Sequence, residues 1–155
     1  MRAKAQASTE IMITVAFVVT IMFPLLIIAY MQSANVSDQL AVQQAQQTAT
    51  KIANYADTVG AMGYPTRMNI QVFMPQNIDS ISVGNSTGGL GHELIIKLRT
   101  SAGTTQIVGL TLTKIAGDLS TIARPGTYFI KISAEDNCTQ ILDASMQDCV
   151  YIERS

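Results

Sequence analysis

The sequence predicts an α+β protein, in which one long N-terminal α-helix is followed by an antiparallel β-sandwich or small-barrel head domain. Three observations lead to this prediction. An uncharged apolar run fills Ile11–Met31, and the polar stretch behind it keeps helical spacing to Met62. From Tyr64 onward the period changes to that of short strands. The 155 residues are enough for one domain with an appendage.

The apolar run has the length of a membrane span. It holds 21 residues, contains no charge, and is broken only by two threonines and a proline. At about 1.5 Å per residue, a helix of this length reaches roughly 30 Å, the thickness of a bilayer's hydrocarbon core. The cations Arg2 and Lys4 precede it. Because cations favour the cytoplasmic side, we expect a span at about residues 11–31 with the remainder of the chain outside.

Behind the apolar run, the helix is predicted to continue as an amphipathic segment. Its apolar positions form a narrow stripe, since most steps are of three or four residues. The stripe consists of Val36, Leu40, Val42, Ala45, Ala49, Ile52, Ala56 and Val59. Gly60, Gly63 and Pro65 are expected to end the helix. We expect the stripe to pack on the chain's own head domain, because about ninety residues form a marginal core alone.

The head domain is predicted to contain six or seven short strands separated by turn signals. The expected strands cover residues 68–74, 78–83, 93–100, 104–113, 118–122, 128–132 and 149–152. The Gly-rich stretch 84–89 and the Arg124-Pro125-Gly126 sequence mark two of the turns. Regular short strands of this kind favour a sandwich or barrel.

Composition argues against several functional classes. Ten basic residues stand against 11 acidic ones, and without Arg2 and Lys4 the balance is 8 against 11, or −3, so nothing favours nucleic-acid binding. The sequence has no nucleophile elbow, phosphate loop or carboxylate pair, so we expect no enzyme, no catalytic residue and no cofactor. The lone His92 is expected to be a solvated loop residue. The sequence contains only two cysteines in addition to this histidine, so these three residues cannot complete a four-ligand metal site.

Two kinds of covalent feature are expected in the external region. Cys138 and Cys149 are eleven residues apart, and an oxidising compartment favours their pairing as a disulfide. Three Asn-x-Ser/Thr sequons begin at Asn35, Asn85 and Asn137. Each sequon alone is a weak signal for glycosylation, with Asn85 in the Gly-rich turn the strongest and Asn35 on the helix the weakest.

The segment between the cations and the apolar run carries the most specific pattern. Gln6, Ser8 and Glu10 have the spacing Q-x-S-x-E, and no small-residue cleavage site follows the apolar run. This arrangement resembles the class III signal peptide of archaeal type IV pilins. The resemblance implies that a prepilin peptidase cuts between Ala5 and Gln6. It divides the chain into a leader (1–5), an assembly helix (6–62) and an extracellular head domain (63–155).

The resemblance also implies a function in assembly. The chain would be a membrane-inserted precursor that becomes a structural subunit of a surface filament. Its partners would be identical subunits, the peptidase, an assembly ATPase and a membrane platform protein. Glu10 would meet the positively charged N-terminus of a neighbouring subunit, or would make a favourable contact with its own helix dipole. Two alternatives stay open: a single-pass anchor carrying an external binding module, and a minor, pseudopilin-like or tip-located adhesin subunit.

Overall fold

The architecture is that of a computed structural model describing residues 2–85, 89–136, 138 and 148–155, with side chains from Thr9 onward except Ala34. Within these described residues, one long helix precedes six strands and a short 3-10 helix. The elements are α1 (Arg2–Met62), β1 (Arg67–Met74), β2 (Ile78–Gly84), β3 (Gly91–Thr100), β4 (Gly103–Asp118), a 3-10 turn (Ser120–Ile122), β5 (Gly126–Glu135) and β6 (Cys149–Arg154). The predicted α+β class is therefore confirmed.

The chain divides into two compact units within this order of elements. The first unit is Met1–Ser37 and holds the first part of α1. The second unit, called the head unit below, is Asp38–Ser155 and holds the rest of α1 together with all six strands. The second half of the helix thus belongs to the same compact unit as the sheet, as the predicted packing of its apolar stripe requires.

The strands form one six-stranded sheet in the order β1-β5-β6-β4-β3-β2, rather than the expected sandwich or small barrel. Four of its five strand pairs are antiparallel, but β4 and β6 are parallel over Ile115–Asp118 and Val150–Glu153. Strand β6 lies between β5 and β4, which run in opposite directions, so it can be antiparallel to only one of them. A second sheet is not needed, because α1 covers the inner face.

Strand alternation places one side chain in two on that inner face. Along β1 the buried residues are Ile70, Val72 and Met74, and along β5 they include Ile130 and Ile132. These residues share a core with the helical residues Ala41, Ala45, Ala49, Ile52, Ala56 and Val59. The apolar stripe was predicted correctly from Ala45 to Val59. At its start the structure buries Ala41, whereas Leu40 and Val36 are about half exposed.

Two further sequence expectations differ from the structure. Residues 118–122 were expected to form a short strand, but β4 itself extends to Asp118 and a 3-10 turn follows at Ser120–Ile122. The helix ends at Met62 because Gly63 adopts a left-handed conformation, φ 71°, and donates its N–H to the Val59 carbonyl at 3.1 Å. Glycine accepts this conformation without strain, which makes it a common residue at helix C-termini.

Candidate functional site

The first candidate site is the apolar part of α1. Every large apolar side chain from Ile11 to Met31 is exposed, and Tyr30 reaches 82%. This part of the helix is long and apolar enough to cross a membrane by length and composition, and none of its most apolar window is buried. A soluble monomer rarely exposes so large a contiguous apolar surface. By its length and composition, the segment is suited to an apolar environment such as a bilayer or other apolar helices.

The polar groups inside this segment are satisfied within the helix. The Thr14 hydroxyl donates to the Glu10 carbonyl at 2.8 Å, and the Thr20 hydroxyl donates to the Ala16 carbonyl at 2.7 Å. Pro24 lies inside α1 without ending it. Because both hydroxyls bond to their own helix, neither threonine presents an unsatisfied donor to an apolar environment.

The residues of the expected processing motif lie at the beginning of α1. The backbone is helical at Ala5, Gln6, Ser8 and Glu10, but the structure describes a side chain only for Glu10, which is exposed. Cleavage before Gln6 remains a prediction. So does an intermolecular role for the Glu10 carboxylate.

In the head unit, two polar side chains of α1 donate hydrogen bonds to the outer edge of β1. The Lys51 ammonium donates to the Gln71 carbonyl at 2.7 Å, and the Thr48 hydroxyl donates to the Phe73 carbonyl at 2.7 Å. Phe129, which lies opposite Gln71, accepts a bond from the Ser155 N–H, so the backbone groups of Phe129 face β6. By the alternation of an antiparallel ladder, the Gln71 and Phe73 carbonyls face away from β5. Thr48 and Lys51 therefore donate hydrogen bonds to carbonyls that would otherwise be unpaired at the edge of the sheet and open to pairing with another strand.

Two carboxylates fasten other parts of the same helix. Asp57 Oδ1 accepts the N–H groups of Leu112 at 2.8 Å and Thr113 at 3.2 Å. These residues belong to an irregular stretch of β4, where the register with β3 shifts. Asp38 Oδ2 accepts both the N–H (2.8 Å) and the hydroxyl (2.6 Å) of Ser101 in the β3–β4 turn. The Ser101 hydroxyl bond and, next, its N–H bond hold the pKa of Asp38 below its ordinary value.

Comparisons with protein-family models, with curated proteins and with solved structures find no match to this chain. Its own residues and geometry must carry any functional proposal.

The structure joins the two cysteines expected to pair. Cys138 and Cys149 form a disulfide with their Cα atoms 6.0 Å apart. Cys149 is the buried first residue of β6, and Cys138 follows β5. The bridge therefore closes the connection that returns the chain from β5 to β6, the strand next to it in the sheet.

The three sequons differ in their surroundings. Asn35 is exposed on α1, and Asn85 is half-buried after β2, where its Oδ1 accepts the Gly89 N–H at 2.8 Å. Asn137 lies outside the described residues. Asn85 thus helps to order its own turn, and glycosylation at any of the three asparagines remains a prediction.

His92 lies within β3 and not in a loop, although it is exposed as expected. Its Nδ1 is 3.2 Å from the Thr111 carbonyl in the irregular part of β4. Across the described ranges, no group of three or more His, Cys, Asp or Glu side chains is arranged to hold a metal ion. An open cavity of about 440 Å³ is lined by residues including Asp38 and Ser101 and the Arg99–Asp79 ion pair, whose nitrogen and oxygen are 2.7 Å apart.

Sequence reasoning missed the polar side chains that fasten α1 to the sheet. None of Thr48, Lys51 and Asp57 was singled out from the sequence. The available signal was weak, since a threonine, a lysine and an aspartate on the flank of an amphipathic helix are ordinary surface residues. Only the register of β1 and β4 shows which backbone groups they reach.

Proposed function

We propose that this chain is a structural subunit of an archaeal type IV pilus-like surface filament. The observation that carries the proposal is the uncharged, exposed run Ile11–Met31 placed directly after the Q-x-S-x-E motif. A leader cleaved ahead of such a run leaves the apolar helix in the mature protein. The pilin-like order of segments is therefore suited to assembly, whereas an ordinary secretory signal is removed with its apolar region.

The proposed mechanism exchanges one apolar environment for another. The bilayer first holds Ile11–Met31, and an assembly ATPase with a membrane platform protein then moves subunits into a helical stack. There the helices of identical subunits surround the same side chains. Since lipid and neighbouring helices are similarly apolar, close packing and the few polar contacts must favour the stack. The head unit, with its own core and disulfide, would remain outside as the surface of the filament.

The experiment that tests the proposal is a measurement of the mature N-terminus. The full chain is expressed with an archaeal prepilin peptidase, and its intact mass is determined from membranes and from any purified filaments. We expect removal of Met1–Ala5, so that Gln6 becomes the first residue. The matched control is Ala5→Phe, because the leaders that this chain resembles end in a small residue. This variant should remain uncut.

The outcomes separate the proposal from its alternatives. A chain that keeps Arg2 with the active peptidase present would overturn the pilin proposal and favour a single-pass anchor with an external binding module. Loss of residues beyond Met31 would also overturn it, because the assembly helix would be gone. A cleaved chain that is abundant along filaments is a major subunit. A cleaved chain found only in traces or at filament tips is the minor, adhesin-like alternative.

A further inference from the structure

Over its first two thirds, β4 has one edge in the head unit that no described strand pairs with. The Arg99 N–H donates to the Asn77 carbonyl at 2.8 Å, so the backbone groups of Arg99 face β2. Thr104 lies opposite Arg99 in the β3–β4 register. In an antiparallel ladder, two opposite residues either bond to each other or both direct their N–H and C=O groups away from the shared ladder. Arg99 bonds to β2 and not to β4, so the second case applies to Arg99 and Thr104. The backbone groups of Thr104 therefore face away from β3.

The same alternation applies to every second residue that follows. Together, Thr104, Gln106, Val108 and Leu110 direct eight backbone groups away from β3, and these four residues are called the β4 edge below. Strand β6 lies on that side, but it pairs with β4 only from Ile115 to Asp118. In the part of the chain that the structure describes, no hydrogen bond reaches the N–H or C=O groups of the β4 edge.

Among the residues that the structure describes, the β4 edge also lacks the features that usually protect a strand edge. No charged residue and no proline occurs from Ser101 to Thr113. The side chains of Val108, Leu110 and Leu112 lie on the face of the sheet opposite to α1, and they are 49%, 71% and 87% exposed. Natural edge strands are protected by lysine, proline, bulges or a covering element. The outer edge of β1 has such protection, because Lys51 and Thr48 occupy two of its carbonyls.

We propose that the β4 edge pairs antiparallel with the β4 edge of a second copy of this chain. The edge is complementary to itself: in a two-fold arrangement Thr104 lies opposite Leu110 of the second copy, and Gln106 lies opposite Val108. All eight outward groups on each copy then have partners. The apolar outer side chains of the two strands lie side by side on one face, which adds cross-strand contacts.

The charge of the segment favours a second copy as the occupant. A charged peptide would find no opposite charge between Ser101 and Thr113, while two identical neutral strands meet without like-charge repulsion. The proposal requires only the head unit. It goes beyond the filament function and does not depend on it.

Proline substitution tests the backbone pairing. Val108→Pro removes one outward N–H that the chain's own sheet does not use, and proline is tolerated in edge strands at such positions. The matched control is Asn69→Pro on β1, whose N–H also faces outward but lies on the edge that α1 caps. Sedimentation velocity of the full chain in detergent micelles measures self-association. We expect Val108→Pro to weaken it by about tenfold or more, and Asn69→Pro to leave it unchanged.

Charge and cross-linking test the location of the contact. Leu110→Lys should weaken self-association, whereas Phe129→Lys should not, since Phe129 is an exposed residue of the outer face on the interior strand β5. Oxidation of a mixture of Gln106→Cys and Val108→Cys should produce a covalent heterodimer, because residue 106 of one copy lies opposite residue 108 of the other and opposed residues lie within disulfide distance. Phe129→Cys should produce none. This readout is specific for the β4 edge even if α1 also associates in the micelle.

Three results would overturn the proposal. The first is equal association of Val108→Pro and Asn69→Pro together with no disulfide between Gln106→Cys and Val108→Cys. The second is protection of the Val108 and Leu110 amides from hydrogen exchange in dilute, monomeric protein, which would mean that the chain covers its own β4 edge. The third is monomeric wild-type protein that acquires protection at these amides only with a different protein, which would make the edge a site for a foreign strand.

Discussion

The ammonium group of Lys51 donates a hydrogen bond to the backbone carbonyl of Gln71 across 2.7 Å, from the flank of α1 to the outer edge of β1. One turn earlier, Thr48 makes the equivalent contact with Phe73. The two contacts differ in exposure, because Thr48 is only 6% exposed while Lys51 lies in solvent. A hydrogen bond in a buried setting costs more to leave unmade, so Thr48 should contribute more to stability than Lys51.

Thr48→Val tests this difference. The substitution keeps the shape of the side chain but leaves the Phe73 carbonyl without its donor, so we expect the free energy of unfolding to fall by about 1–3 kcal/mol. Denaturant unfolding of the full chain in detergent, followed through the β-sheet signal, provides the measurement. Thr58→Val is the matched control, since the Thr58 hydroxyl bonds to the Asn54 carbonyl on an exposed face of α1. The free energy of unfolding of Thr58→Val should stay within about 0.5 kcal/mol of the wild-type value. Similar losses for both variants would contradict the edge-capping role of Thr48.

The Asp57 carboxylate provides a second test, on β4. Asp57→Ala removes the acceptor of the Leu112 and Thr113 N–H groups, and hydrogen bonds to a charged group contribute about 1.5–3 kcal/mol. Asp57→Asn keeps an acceptor oxygen at the same position, so it should retain more of the stability than alanine does. Unfolding midpoints of the two variants and the wild type decide this. If Asn and Ala are equally destabilising, the negative charge and not the acceptor geometry stabilises the irregular part of β4.

The loss of stability at acid pH should depend on two carboxylates, those of the partly exposed Asp38 and the exposed Asp118. Bonds from the Ser101 hydroxyl and N–H lower the pKa of Asp38 from its ordinary value of 3.8, and bonds from Ser120, its N–H first, lower the pKa of Asp118 likewise. A folded-state pKa below the unfolded one gives a stability contribution that is present above the unfolded-state pKa. That contribution is lost as the pH falls through the folded-state pKa, here from about pH 4 downward.

Asp38→Asn combined with Asp118→Asn removes this contribution. We expect the unfolding midpoint of the double variant to fall less between about pH 5 and pH 3 than that of the wild type. Thermal unfolding of the full chain across this range is the measurement. Each single variant should show part of the effect, because the two carboxylates lie on separate elements, Asp38 on α1 and Asp118 at the end of β4. Parallel pH profiles for the wild type and the double variant would show that other groups govern acid stability.

Periodicity was sufficient to predict the helix, most of its buried stripe and most of the strands. The three- and four-residue steps from Ala45 to Val59 identified the buried stripe, and β1, β2 and β3 lie within two residues of their predicted bounds. These features depend on local spacing, which a single sequence contains. The pairing of Cys138 with Cys149 could also be predicted, because the sequence contains only two cysteines.

Strand order and register could not be predicted, because they depend on contacts distant in sequence. Nothing local indicates that β6 inserts between β5 and β4, or that the last part of α1 fastens to β4 through Asp57. Gly109 is a further example. A Cβ at this position would lie 3.2 Å from the Ala49 carbonyl oxygen, so the glycine permits a close helix–strand approach. From sequence alone, Gly109 is only a weak position inside a strand.

Glu10 provides the last prediction, which concerns assembly. We expect Glu10→Ala to leave membrane insertion intact, because it removes a charge from the border of the apolar run Ile11–Met31. The same change should sharply reduce filament assembly, if the carboxylate pairs with the N-terminal amine that cleavage creates on a neighbouring subunit. Among packed apolar helices an unpaired charge is costly and a paired one fixes the register between subunits. Filament yield and membrane content of cells carrying the variant measure the two effects separately. Glu10→Asp keeps the charge and should restore part of the yield. Normal filaments from Glu10→Ala would mean that Glu10 interacts only with its own helix dipole, and the assembly role would be wrong.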